Sequence, residues 1–585
     1  EDMSHMFQNC YSLNSLDVSN FRTDKVKDMS YMFSYCQRLT DLDVSRFATT
    51  EVRDMSKMFQ SCSILKSLDI SNFSSEKVEY MSEMFVECYN LESLTFSKFE
   101  ARSVKSMYKL FQFCKSLKKI DITKFKTNYV QDMSYMFRGC EKLAYIDVSS
   151  LDTSSVTKMA YMFAECTSLK SIDLSNFKTD KVEDLSYLFS QSGSITSIDV
   201  SKSNTENVVD MYQMFGGCQS LEKIEVSNFD TRKVQDMAGM FKDCKRLTSI
   251  DVSKFVTNKV EDMFTMFSGC SNVLSLNLKS FNTELVQDMS QMFEDCNKLT
   301  SLDITNFNTQ RVTDMNHMFS GCSNIKELDL SNFRTPEVED MQSMFKNCKE
   351  LTQLKINNFD TKYVKYMSNM FNSCSALREL DITNFNTNSL SSMENMFQNC
   401  QSIRSLDFRN FKTEKVTDMS FLFQNCKQIK SLDLSNFDTS KVTNMENMFQ
   451  SCSALTSLDI SKFDTGSVRS TRNMFDGCSL LKQLDVSKFD TENVVDMGRM
   501  FYKCSTLTSL DLSKFNTAQV KDMQYMFFEC SGIDTLDLTS FNTQQCTNFG
   551  SMFYGCLSMT VLVNSKYCDN LIEKIKDFVD IEYRN

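Results

Sequence analysis

The stretch VKDMSYMFSYCQRLTDLDVSRF, Val26 to Phe47, returns as VRDMSKMFQSCSILKSLDISNF, Val52 to Phe73, and keeps returning down the chain. Phe7 recurs at Phe33, Phe59, Phe85 and onward to Phe553, always 26 residues apart and without a substitution. A cysteine column runs on the same spacing from Cys10 to Cys556, broken only by Ser192. No insertion or deletion disturbs the phase across 22 copies. A 26-residue unit is too small to bury its apolar face alone, so the copies must stack on one another. The 585 residues therefore read as one elongated solenoid instead of a string of globules.

Composition agrees. Hydrophobic residues make up 41% of the chain, enough for a continuous core, while Pro336 is the only proline and glycine is scarce at 13. Disordered linkers would be rich in both. The longest apolar runs fall far short of the roughly 18 residues a membrane span requires. No signal peptide is visible, yet EDMSHMF at Glu1 enters the pattern in mid-repeat, so the repeats are expected to continue upstream.

Within one copy, Met29, Met32, Phe33 and Cys36 fall at i, i+3, i+4 and i+7, which predicts one face of a short helix. The position before Met29 holds Asp in 14 of 22 copies, with Ser106, Ser392, Ser470, Asn444 and Asn548 as substitutes. That set fits a helix N-cap, because each member offers an oxygen to the free N–H groups of a first turn. Next comes LTDLDVSRF, where period two sends Leu42 and Val44 inward and Asp41, Asp43 and Ser45 outward on a short strand. Thr23, Thr49, Thr127 and their equivalents are expected to make side-chain-to-backbone hydrogen bonds within the turn that follows. The predicted fold is an α/β solenoid of about 22 stacked 26-residue coils, each a short parallel strand plus a short helix.

The spacing of Leu39, Leu42, Val44 and Phe47 resembles a leucine-rich repeat. The fuller pattern V-x-x-M-x-x-M-F-x-x-C-x-x-L-x-x-L-D-[ILV]-S-x-F-x-T resembles the 26-residue repeat of bacterial surface proteins and mycoplasma lipoproteins grouped with BspA-like leucine-rich repeats. The resemblance covers Glu1 to about Thr560. It implies a cell-surface or extracellular protein used in adhesion or as a structural layer, and it carries over no catalytic residue. Local departures are Ser203 for the strand-end Phe, Thr471 for a Met, and Cys546 for a Val.

Residues 1–560 are assigned to the solenoid and 561–585 to a C-terminal cap. In the latter, Leu571, Ile572, Ile575, Phe578 and Val579 mark one face of an amphipathic helix. Covering an open solenoid end is one role for this helix, and serving a partner is the other.

Twenty-three cysteines would ordinarily suggest disulfides. Stacked strands stand about 4.8 Å apart, whereas a disulfide wants Cβ atoms at roughly 3.5–4.5 Å. One Cys per coil on the inward face reads as a buried free thiol, with Ser192 filling the same hole. Cys546 and Cys568 lie outside that column and are left open to pairing or reaction. Methionine occupies two columns in which Leu110, Leu185, Leu188 and Leu422 substitute freely, so those columns are packing and not metal ligands.

The strand carries Asp in 17 of 21 copies, unbroken through Asp381, Asp407, Asp433, Asp459, Asp485, Asp511 and Asp537. Neighbouring carboxylates on a parallel sheet repel by roughly 1 kcal/mol in water. Hydrogen bonds from flanking Ser, raised and coupled pKa values, a bridging row of cations such as calcium, or a basic partner are the available offsets. Thr95, Asn277 and Lys355 occupy the same column, so charge is not required at every level. His5 and His317 share an outward column with Tyr31 and Lys57, and nothing forms a unique catalytic constellation. A net charge of −12 without a basic stripe disfavours nucleic acid. The expected function is non-enzymatic, with no catalytic or cofactor-binding residue. It is binding of a protein or surface glycan along the solenoid, or self-assembly of protomers end to end or side by side into a filament or coat.

Overall fold

A computed structural model describes residues 1–556 and 558–584. The chain falls into two compact units, Glu1–Val286 with Asp295–Lys298, and Gln287–Glu294 with Leu299–Asn585. Each unit is a β-solenoid with one coil per 26-residue repeat. In the first unit, strand Ser67–Asp69 pairs parallel with Ser93–Thr95, and Ser171–Asp173 with Ser197–Asp199, each in register at one repeat. In the second, Glu327–Asp329 pairs with Gln353–Lys355, and Ser431–Asp433 with Ser457–Asp459. The strands show the expected alternation: Leu68 is buried between exposed Ser67 and Asp69.

The predicted helix is not there. Among the described residues the only α-helix is Asp569–Ile575, and the DMSYMFSYC segments are chains of tight turns. In every copy the residues equivalent to Tyr31 and Tyr35 have positive φ, 57° and 61° at those two. Two left-handed residues four apart cannot lie in a right-handed helix. The hydrogen bonds explain the choice. Met29, Tyr31, Phe33 and Tyr35 donate their N–H groups to Asp54, Ser56, Met58 and Gln60 of the next coil at 2.7–3.0 Å. The intervening N–H groups of Met32, Ser34 and Cys36 close short turns on Met29, Tyr31 and Phe33. Stacking satisfies half of the segment's donors, so the helix ladder is not needed. The inward side chains are nevertheless those predicted: Met29, Met32, Phe33 and Cys36 are fully buried.

Core packing is a set of columns. Phenylalanine rings from Phe7 to Phe267 stack coil on coil in the first unit, with neighbouring centroids 5.5–6.0 Å apart. Phe293 to Phe553 do the same in the second, at 5.4–5.8 Å. Beside them each thiol donates to the carbonyl of the Phe one coil earlier, as Cys62 does to Phe33 at 3.4 Å and Cys88 to Phe59 at 3.1 Å. Ser192 keeps this bond, its hydroxyl donating to Phe163 at 2.7 Å. All 23 cysteines are free; Cys10 in the first coil is partly exposed, and Cys546 and Cys568 are buried with the others.

The threonine column differs from expectation in its partners. Thr49 Oγ1 donates to the Ser74 carbonyl at 2.9 Å and accepts from the Ser74 N–H at 2.7 Å, bridging coils instead of closing its own turn. Thr153 repeats the pair with Lys178. The asparagine before the strand-end Phe is another inter-coil lock: Asn384 and Asn410 reach back to the carbonyls of Asn357 and Thr383.

At the C-terminal end, Thr560–Val563 pairs with Thr535–Asp537 on one side and with Asp580–Tyr583 on the other. The helix Asp569–Ile575 lies between these two strands in sequence and buries Leu571 and Ile575. Val579 is also buried, whereas Phe578 is exposed.

Candidate functional site

Two surfaces emerge from this geometry. On the strand face, Asp and Ser columns stand side by side. Each Asp closes a local turn by accepting the N–H two residues on. Asp381, Asp407, Asp433, Asp459, Asp485, Asp511 and Asp537 all do so, from Thr383, Arg409, Ser435, Ser461, Ser487, Ser513 and Thr539, at 2.9–3.1 Å. The hydroxyls of Thr383, Ser435, Ser487 and Thr539 add a second bond of 2.6 Å to the same oxygen. In each case the hydrogen bonds fall on Oδ1.

These bonds favour the ionised form. Hydrogen bonds from Thr383, Ser435, Ser487 and Ser513 hold Asp381, Asp433, Asp485 and Asp511 below the usual carboxylate range. The expected raised, protonated carboxyls are therefore not found on this face. Repulsion is answered locally, each charge by its own turn. Lys355, an exception in the column, sits 2.7 Å from Asp329 and helps bring that carboxyl down to about 2. Among the described residues no group of three or more His, Cys, Asp or Glu side chains is arranged to hold a metal ion.

The strand face is grooved. In the first unit a depression of about 720 Å³ is bordered by Tyr145 and Lys223 and lined between them by Asp147, Asp173, Ser197 and Asp199. In the second, depressions of about 630 and 450 Å³ lie along Gln353 to Ser405 and along Leu380 to Asn436. Tyr145 is two-thirds exposed there.

The turn face carries the columns that vary most between copies. Tyr135, Tyr161 and Tyr187, all at the left-handed position, stack at 4.5 and 4.1 Å between centroids. Arg138 lies over Tyr135 and Tyr161 and pairs with Glu165 at 2.7 Å. Sequence reading missed this cluster, because its members occupy a column that elsewhere holds unrelated polar residues. His5 stacks on Tyr31 in the same column.

The Asp column assigned to N-caps keeps its hydrogen bond without a helix. Asp28 accepts from Ser30 N–H and Asp54 from Ser56 N–H, at 2.8 and 2.7 Å, while their backbones form parallel bridges from coil to coil. These carboxyls are half-buried, and burial pushes Asp210, Asp314 and Asp340 upward and Asp236 to about 6. The acids raised by burial thus lie in this column and at Asp476, whereas the shifted acids of the strand are lowered.

No curated protein matches the chain. Among solved structures, the complex "TLR13-ssRNA13" matches at 15% identity and TM-score 0.21, covering 95% of this chain and 88% of that one. The pneumococcal vaccine antigen PcpA matches at 12% identity and TM-score 0.24, covering 75% and 82%. The functional domain of InlJ from Listeria monocytogenes, described as including a cysteine ladder, matches at 14% and 0.14, covering 77% and 74%. No described helix is long and apolar enough to cross a membrane. A family model matches six times, over residues 1–120, 105–222, 191–302, 288–411, 391–484 and 481–578. With nearly the whole length covered by these matches, the chain belongs to the family described as "Mycoplasma protein of unknown function, DUF285".

Proposed function

We propose that this chain is a non-enzymatic cell-surface protein that binds an extended partner, a protein segment or surface glycan, along the strand face of its coils. The observation that carries the reading is the grooved strand face itself. Depressions of about 450–720 Å³ recur on it, lined by the same Asp and Ser columns. Carboxylates such as Asp381 and Asp433 take their local N–H bonds on Oδ1, which leaves the second oxygen for a partner. One such acceptor per coil offers many weak contacts, and avidity converts them into useful strength. A surface location is supported by the mycoplasma family match and by the resemblance to BspA-like surface repeats. A repetitive array without a unique constellation of titratable groups suits binding better than catalysis.

The test is adhesion of beads coated with the chain to cultured cells and to immobilised matrix proteins and glycans. The comparison is with a variant carrying Asp147→Asn, Asp173→Asn and Asp199→Asn. Asn277 occupies this column natively and accepts the same N–H bond, so the substitutions spare the fold. Wild-type adhesion lost in the variant supports the proposal. No adhesion by wild type, or equal adhesion by both, overturns it.

A further inference from the structure

We propose that the tyrosine array on the turn face of the first unit is a site of one-electron oxidation, at which Tyr161 and Tyr187 couple into an intrachain dityrosine bridge between successive coils. The reading stands apart from the strand-face proposal and rests on how these rings are held.

Their contact is unusually close. Tyr161 and Tyr187 lie 4.1 Å apart between centroids with planes 15° from parallel. Tyr135 and Tyr161 lie 4.5 Å apart at 8°, and Tyr187 and Tyr212 follow at 4.9 Å and 54°. The buried Phe rings of the same coils stay 5.5–6.0 Å apart, so the tyrosines are drawn together beyond what the coil repeat imposes. The four rings are half-buried, which leaves their edges within reach of a small oxidant. Groups that normally oxidise first are withdrawn. Cys166 and Cys218 are fully buried with thiols pushed up to about 12, so the reactive thiolate is not formed at neutral pH. Met159, Met162, Met211 and Met214 are likewise inside.

The coupling balances without a resident cofactor, given a one-electron oxidant. Each phenol loses one electron to the oxidant and one proton. The protons leave to solvent, which the half-buried rings still meet. The two phenoxyl radicals form a carbon–carbon bond between ortho positions. The two hydrogens displaced at that bond then shift to the oxygens and restore both phenols. The net loss is two electrons and two protons per bridge.

The second unit supplies a natural contrast. There Tyr502 stacks on Phe528 at 4.7 Å, and Phe528 on Tyr554 at 5.0 Å. Phe528 separates Tyr502 from Tyr554, and Tyr525 meets Tyr502 only edge-on at 6.1 Å and 82°, so that cluster should not couple.

The experiment oxidises the dilute intact chain with photo-excited tris(bipyridine)ruthenium(II) and persulfate, which takes up the two electrons as it becomes two sulfates. Dityrosine fluorescence and peptide mapping are the readouts. The expected main product joins the peptides containing Tyr161 and Tyr187 within one chain, and Tyr161→Phe and Tyr187→Phe each abolish that cross-linked peptide and lower the fluorescence. Phe421 occupies this column natively at φ 58°, so phenylalanine is tolerated there. Tyr502→Phe should leave the yield unchanged. Bridges chiefly between chains, bridges through exposed Tyr129 or Tyr145, or an undiminished yield in Tyr187→Phe would overturn the proposal.

Discussion

Gly477→Ala has opposite signs under the two conformations its segment could adopt. In a helix, replacing an interior glycine by alanine stabilises by about 1 kcal/mol. In the structure Gly477 has φ +74°, and a Cβ there would meet Ser451 only at 3.5 Å or beyond, which is ordinary contact. No clash contributes, so the cost is conformational. A left-handed L-residue costs about 1–2 kcal/mol, offset in part by about 0.4–1 kcal/mol from the stiffer unfolded chain. The net expectation is a loss of about 1 kcal/mol, roughly 2 kcal/mol away from the helical outcome. One coil earlier, Ser451 has φ 58°, so Ser451→Gly should gain a similar amount. Urea denaturation followed by circular dichroism gives the midpoints. Native-state hydrogen exchange at residue 477, whose N–H donates to Tyr502 at 2.7 Å, gives the local effect. A higher midpoint for Gly477→Ala, or a lower one for Ser451→Gly, would refute the turn-chain reasoning.

Phe371→Ala removes a fully buried ring stacked on Phe345 and Phe397 at 5.6 Å each, and should cost about 3–5 kcal/mol; an unchanged melting curve would contradict stabilisation by the ring column. The half-buried Asp column makes mild acid favourable. Asp236 has a folded pKa of about 6 against 3.8 unfolded, so the folded state binds more protons between those values and its stability falls as pH rises through 6. Asp236→Asn, which retains an acceptor as Asn444 does in the same column, should therefore raise the melting temperature at pH 7.5 more than at pH 5; the reverse order would refute the sign. The strand-face carboxyls with lowered pKa act oppositely, losing their contribution only in stronger acid, as at Asp329 near pH 2. Because each Asp from Asp381 to Asp537 is already satisfied by its own turn, a chelator should leave the melting temperature unchanged, and a marked fall would restore the cation ladder.

What could be read before any coordinates was the 26-residue stacking and the identity of the inward side chains. Beyond the first coil, where Met6 is exposed, the invariant Phe and the Met columns point into the cores of the two units, as their spacing requires. The strand-face Asp column was also legible as an outward ladder, though the direction of its pKa shifts was not. Those shifts depend on the N–H and hydroxyl donors two residues on, which spacing alone does not place. The turn-face tyrosines were illegible because their closeness is made by stacking coils, not by neighbours in sequence.

One local signal against the helix was present. The residue before the Cys position is Gly, Asn or Asp in 12 of 22 copies, as at Asn9, Gly139 and Asp243, and those types favour left-handed backbone. The 26-residue period, the buried columns and the outward acids were determined by sequence alone, because apolar periodicity dictates which side chains leave water. The backbone path between them was decided by tertiary structure. Spacing at i, i+3, i+4 and i+7 specifies a face but not the carbonyl each N–H will meet, and here the partner of Tyr31 is Ser56, on the next coil.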